Sequence, residues 1–236
     1  MNAMIREKWK GRIQIEFSGN QVSLQDIYIA YMPSDSLQFL IGNYEEPMGL
    51  ESLASPKYIP FIENPISNAF NPGRHIGAGI KYYPGSWMLN MGVFGGKVTD
   101  GNQGDSGMDI AGRLTWLPYE DSNGLIHVGG SVVYSLPGSL KTHSYSRKPE
   151  SNMADALLNT QTISNVSSYV TANAEVAFTR GPVSLQSEYS HVSMKRSAGL
   201  SKLTFYRYYV YGNCFLTGAK RVYSKTKGYF GKTIPS

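Results

Sequence analysis

Nowhere in this chain does an apolar run approach the roughly 20 residues that a membrane-spanning helix needs, and the mean hydropathy is only -0.28. A helical membrane protein is excluded. Cysteine is nearly absent, since Cys214 stands alone, and no internal disulfide can form. The four histidines are scattered without cysteine beside them, so no metal-ligand spacing is readable and no cofactor is expected. Acidic residues are in the minority, 17 against 22 Lys and Arg, for a net charge of +5. A basic chain can bind nucleic acid, but no recognition motif accompanies the charge, and a nucleic-acid partner is not expected.

What the chain does have is short segments of strict apolar and polar alternation. In His75 to Tyr83 the even positions are Ile76, Ala78, Ile80 and Tyr82, between His75, Gly77, Gly79 and Lys81. Trp87, Leu89, Met91 and Val93 continue the pattern, then Met108, Ile110, Leu114 and Trp116 against Asp109, Arg113 and Thr115. Ile126, Val128, Val132 and Tyr134 oppose His127, Gly129 and Ser131, and Val170, Ala172, Ala174, Val176 and Phe178 oppose Thr171, Asn173 and Glu175. A period of two means strands with one apolar and one polar face. A one-residue slip would turn each apolar set over, so one face of a large sheet meets an apolar medium throughout.

A soluble sandwich or lipocalin-like barrel would carry bulky interlocking side chains on that face. Here it holds small residues, with Trp87, Trp116, Tyr31, Tyr82 and Tyr134 near segment ends, while the other face is largely Gly, Ser, Asn and charge. Aromatic ends and a wet opposite face are the marks of an antiparallel transmembrane β-barrel, all-β and bounded by outer-membrane lipid. Cys214 falls on the apolar face, where it would make a packing or a lipid contact. About ten strands are expected, near 9–17, 22–32, 37–44, 75–83, 87–97, 107–116, 126–136, 168–179, 183–192 and 203–217. Short turns at Pro33–Ser36, Pro84–Ser86, Pro118–Gly124 and Arg180–Pro182 alternate with long connections at Glu45–Arg74, Thr99–Ser106, Pro137–Ser167 and Ser193–Lys202. Apart from the tight turn near Ser18 to Gln21, short and long ends thus alternate, as they do when one rim faces a periplasm and the other the exterior. The start is charged at once by Arg6, Glu7, Lys8 and Lys10, without a secretory core. The end, Thr233-Ile234-Pro235-Ser236, lacks a terminal aromatic strand. Residues 1–236 are thus expected to be a single barrel domain, incomplete at both ends.

The stretch Leu37 to Glu51, reading LQFLIGNYEEPMGLE, precedes Ser55, Lys57-Tyr58, Phe61-Ile62-Glu63 and Pro72-Gly73-Arg74-His75-Ile76-Gly77. Together with Leu24 to Tyr31, Gln186 to Tyr189, Leu216-Thr217-Gly218, Arg221, Tyr223 and Gly228 to Gly231, it resembles the phosphate-selective porins of the O and P family. The resemblance implies a sixteen-stranded, homotrimeric channel in the outer membrane of a Gram-negative bacterium, of which this chain supplies the central portion. It also implies that Glu45–Arg74 folds inward as the constriction loop. The loop's own composition agrees: it is long, unpatterned, and rich in Met48, Leu50, Leu53, Ile59, Phe61, Ile62, Ile66 and Phe70, and such loops are normally functional. Phosphate-selecting members of the family place a Lys one residue after the Leu-Glu pair, two adjacent Ser shortly after, and an Arg directly after the loop Glu. Here those places hold Ser52, Ser55-Pro56 and Asn64, one match in four, and the donor set for tight phosphate binding is not intact.

By parity Arg12, Lys81, Arg113 and Arg207 face the lumen, opposed by Glu16, Asp26, Asp109, Glu175 and Glu188. An outward Arg or Lys would cost about 2 to 4 kcal/mol at mid-membrane. The expected anion path therefore comprises Ser52, Ser55, Lys57, Arg74, Lys81, Arg113 and Arg207, with modest preference for small anions such as phosphate. Lys220 and Arg221 are expected to lie far from it. Catalysis is not expected: Asp109, His127 and Ser131 share a face, but the last two are about 13 Å apart along one strand. The alternative to a diffusion porin is a barrel enzyme or adhesin acting through long loops such as Pro137–Ser167.

Overall fold

The computed structural model describes residues 2–18, 21–61, 65–98, 107–149 and 154–234. The expected connection Thr99–Ser106 lies outside them, as do Ile62, Glu63, Asn64, Pro235 and Ser236. In chain order the strands are β1 (Asn2–Ile5), β2 (Trp9–Ser18), β3 (Gln21–Ser34), β4 (Leu37–Glu45), β5 (Arg74–Tyr82), β6 (Trp87–Phe94), β7 (Met108–Glu120), β8 (Gly124–Leu136), β9 (Ser146–Arg147) and β10 (Leu158–Asn159). There follow β11 (Val166–Arg180), β12 (Val183–Arg196), β13 (Leu203–Cys214), β14 (Lys220–Ser224) and β15 (Tyr229–Ile234). Eleven of them form one antiparallel sheet in the order β1-β2-β3-β4-β5-β6-β7-β8-β11-β12-β13. Sequence neighbours pair, as in a barrel wall built from hairpins, except that β9 and β10, which pair with each other, come between β8 and β11. Among the described residues the sheet is open, with β1 and β13 at its two ends. No helix of the described residues is long and apolar enough to cross a membrane.

Each of the ten expected strands is present, and β1, the short pair β9 and β10, and the hairpin β14–β15 are additional. β13 stops at Cys214, short of Thr217. β7 runs past Pro118 to Glu120, because a register shift between Trp116 and Tyr119 spares the proline a ladder donor. The turn that follows is closed by Asp121, whose Oδ1 accepts the Asn123 and Gly124 N–H groups at 2.7 Å each. In β3 a shift opposite Ile13 and Ile15 puts both Leu24 and Ile27 against outward partners, so the parity of the strand changes midway.

Exposure along the strands is the inverse of a soluble sheet. On β7 Leu114 is 46% exposed and Arg113 1%, and on β8 Val132 is 51% exposed and Ser131 4%. The apolar face is the outer surface and the polar face is the covered one. Trp87 stacks on Trp116 across β6 and β7 at 5.2 Å, and Trp9 lies 4.8 Å from Tyr31 across β2 and β3. These aromatics line the rim carrying the short turns, where a lipid-facing barrel wears its girdle.

The covered face is less purely polar than its sequence alternation suggests. Ala30, Leu40, Tyr44, Phe94, Ala111 and Val133 project inward from the strands and bury Met48 of the long β4–β5 connection. Farther round, Leu50 packs with Leu117, Leu125, Ala177 and Phe230 of the β14–β15 hairpin, and Phe70 with Tyr145, Ile163, Val166, Val192 and Met194. The fold's core therefore lies between the sheet and the segments laid across it. At about 25 cal/mol per Å² of apolar area removed from water, these three clusters are what hold those segments down.

Candidate functional site

Alternation on β7, β8, β11, β12 and β13 brings Arg113, His127, Ser131, Glu175, Asn173, Gln186, Glu188, Ser190 and Arg207 onto the covered face. The connection between β4 and β5 lies over them. Its Gly49 N–H reaches Ser131 Oγ at 3.4 Å, and its Glu51 N–H donates to Glu188 Oε1 at 2.9 Å. Gly49 has φ +78, and a Cβ there would crowd Ser52 and Glu188, so only glycine lets the backbone come this close. The Arg207 guanidinium then clasps the far half of the segment, donating to Asn68 Oδ1 at 2.7 Å and Asn71 Oδ1 at 2.6 Å while Nε donates to Ser190 Oγ at 2.9 Å. Of the segment's apolar residues, Met48, Leu50 and Phe70 are buried, whereas Phe61 and Ile66 stay exposed. Phe61 meets Tyr211 edge to face, with ring centroids 5.3 Å apart.

The cations expected along the path fall into two groups. Arg113 is fully buried and donates through Nε (2.9 Å) and Nη2 (2.6 Å) to Glu175 Oε1, which His127 Nε2 also approaches at 3.1 Å. Its Nη2 donates as well to the carbonyl of Gly228, at 2.7 Å. Gly129 faces Glu175 across the β8–β11 ladder, and a Cβ there would collide with the carboxylate. Arg74 and Arg12 share Asp26, at 2.8 and 3.1 Å, and Arg74 also reaches Glu45 at 3.3 Å. Lys57, exposed on a 3-10 turn (Pro56–Tyr58), and Lys81, half-buried on β5, form no ion pair among the described residues. Ser52 spends its hydroxyl on the Met48 carbonyl at 2.6 Å. Ser55 caps the 3-10 turn through its carbonyl, which accepts the Tyr58 N–H at 2.8 Å. The seven residues are thus spread over the covered face and the segment above it rather than gathered at one point.

Several participants escape sequence reasoning. Arg221, expected to be remote, is buried on the covered face with Nη1 3.2 Å from Gln186 Oε1 and its guanidinium 4.2 Å above the Phe230 ring. Tyr209 donates to Glu188 Oε1 at 2.5 Å and accepts from Gln186 Nε2 at 2.7 Å. Gln186 Nε2 also lies 3.3 Å from Glu51 Oε2, so two carboxylates meet under the segment. Burial, with the Glu188 charge adding to it and the Tyr209 hydroxyl opposing it, pushes the Glu51 carboxyl up to about 7. Burial and the neighbouring Asp109 push Glu46 up to about 10. The only signal in the sequence was that inward parity also applied to Tyr209, Gln186 and Glu188.

Comparison with known proteins adds two findings. The family model for phosphate-selective porin O and P matches residues 3–234. An uncharacterized protein of Caulobacter vibrioides is 25% identical over 236 residues, covering 95% of this chain and 47% of the relative. The chain spans about half the length of the curated relative it matches.

Proposed function

The chain belongs to the phosphate-selective porin O and P family, and from that premise we propose that it forms wall and constriction of an outer-membrane channel for passive diffusion of small anions and small hydrophilic solutes. The observation that carries the proposal is the inverted sheet: an apolar outer surface rimmed by aromatics, and a polar inner face crossed by the β4–β5 connection. A soluble protein has no use for the first, and a wall without a lumen has no use for the second.

In this reading Glu45–Arg74 is the constriction loop. Lys57 and Lys81 supply most of the pull on anions, because their charge is not spent on a carboxylate. Arg74 contributes a remainder, shared with Asp26 and Glu45. Arg113 and Arg207 chiefly hold wall and loop in place. Ser52 and Ser55 line the loop without forming a phosphate cage, since the Ser52 hydroxyl is engaged by its own backbone. Rings of cations favour anions in a pore, and Lys57 and Lys81, set among pairs such as Arg113–Glu175 and Arg74–Asp26, give modest preference rather than strict selectivity. The working assembly is a homotrimer in outer-membrane lipid of a Gram-negative bacterium.

The test is reconstitution of the complete protein in planar bilayers. Stepwise ohmic conductance, a reversal potential on the anion side in a salt gradient, and no block of chloride current by micromolar phosphate are expected. Absence of conductance from correctly inserted protein refutes the channel, and tight phosphate block refutes the assignment of Ser52 and Ser55.

A further inference from the structure

At the rim opposite the aromatic girdle three side chains from distant parts of the chain converge. Glu46 follows the last residue of β4, His75 is the second residue of β5, and Asp109 is the second of β7. One carboxylate oxygen of each acid and one ring nitrogen of His75 lie within 4.8 Å of one another. Ligand atoms on a tetrahedral zinc stand about 3.3–3.6 Å apart, given bonds of about 2.0–2.2 Å, so the group closes on an ion with side-chain shifts of about an ångström.

A second observation is independent of that spacing. Glu46 is 1% exposed, and its Oε2 meets no hydrogen-bond partner, while Oε1 lies 2.6 Å from His75 Nδ1. A carboxylate oxygen sealed from water and from donors is costly unless a cation or proton reaches it. His75 and Asp109 also line a cavity of about 390 Å³ together with Asn71, Lys97 and His143, which leaves room for water ligands.

The geometry points to a divalent-cation site made by Glu46, His75 and Asp109. One imidazole with two carboxylates suits Zn2+ or Mn2+ better than Mg2+, which prefers oxygen and retains its water. Because Glu46 begins the loop while His75 and Asp109 belong to the wall, the bound ion ties one to the other. The site does not depend on the pore reading: a channel without metal, or a metal site without conductance, are separate results.

Titration calorimetry of chelator-treated protein in detergent, with ZnCl2 as the probe, tests it. One Zn2+ per chain is expected, weakened at least about tenfold by Glu46→Gln and by Asp109→Asn, and unchanged by His191→Gln on the far side of the sheet. If either acid variant fails to fold by circular dichroism, His75→Gln at the less buried edge of the cluster reads the same loss. Co2+ gives a check without variants: bound ion must show intensified visible absorption, distinct from the free aqua ion. No saturable Zn2+ uptake by the unsubstituted protein overturns the site. Uptake that survives the substitutions, or a Co2+ spectrum of the aqua ion, overturns it equally.

Discussion

Replacing Glu175 by Gln tests whether the inner face is covered or bathed in water. Glu175 Oε1 takes two donors from Arg113, at 2.9 and 2.6 Å, and lies 3.1 Å from His127 Nε2, and neither the Arg113 nor the Glu175 side chain has accessible surface. Gln keeps the shape and an oxygen that can still accept from Arg113, but it removes the charge, leaving the buried guanidinium without the carboxylate that balances it. Breaking a buried pair by removing one partner costs about 3–5 kcal/mol, because the remaining charge stays desolvated. The same pair in an open, water-filled lumen would be worth about 0–1 kcal/mol. The gap between these figures is wide enough for an ordinary denaturation experiment to resolve. Urea unfolding of detergent-refolded protein, followed by tryptophan fluorescence and compared at equal m, should show the midpoint falling by the larger amount. Joint replacement of Arg113 and Glu175 by Met should recover most of the loss, since well-packed apolar pairs often equal a buried ion pair. A cost below about 1 kcal/mol for Glu175→Gln would mean that water reaches the pair, and that neither the loop nor the β14–β15 hairpin seals it.

Arg207→Ala removes the clasp on Asn68 and Asn71, each bond being of the charged kind worth about 1.5–3 kcal/mol, and should raise single-channel conductance and open-channel noise; an unchanged, quiet channel would show that the apolar clusters alone retain the loop. Joint Lys57→Gln and Lys81→Gln should move the reversal potential toward cations more than Arg113→Gln paired with Glu175→Gln, because screening over about 8 Å leaves only nearby unpaired charge effective, and the reverse order would refute the division of roles. Glu51, raised from 4.5 to about 7 chiefly by burial, holds its proton in the folded state over a range where the unfolded chain has released it. Stability of the loop should therefore fall as pH rises from about 4.5 to 7 and level off above, with conductance rising over the same window; the change should vanish in Glu51→Gln, and its persistence there would assign it to another group.

The strands were legible because their alternation has a period of two, which sets every side chain's face without reference to any other element. Arg113, Glu175 and Arg207 were placed inward on that basis alone, and the outer membrane-facing surface followed from Val128, Val132, Leu114 and their neighbours. β1 was missed because Asn2–Ile5 is too short to display a period. The change of parity in β3 was missed because a bulge leaves no mark in composition. Charge partners were also out of reach: parity puts Arg113 and Glu175 on one face, but only the register through β8 brings Glu175 over Gly129 and within reach of Arg113.

Periodicity by itself thus determined the sheet, its two faces and the rim on which the aromatics sit, since these depend on local geometry repeated along each strand. The tertiary structure decided what lies on the inner face. Met48 and Leu50 settle among inward apolar side chains, Arg207 finds Asn68 and Asn71 more than a hundred positions away, and Arg221 returns with its hairpin to Gln186. Glu46, His75 and Asp109, unremarkable where they stand in the chain, meet only when three strand ends are brought side by side. Contacts of that kind arise from pairing order and packing over long sequence separations, and no short-range pattern encodes them.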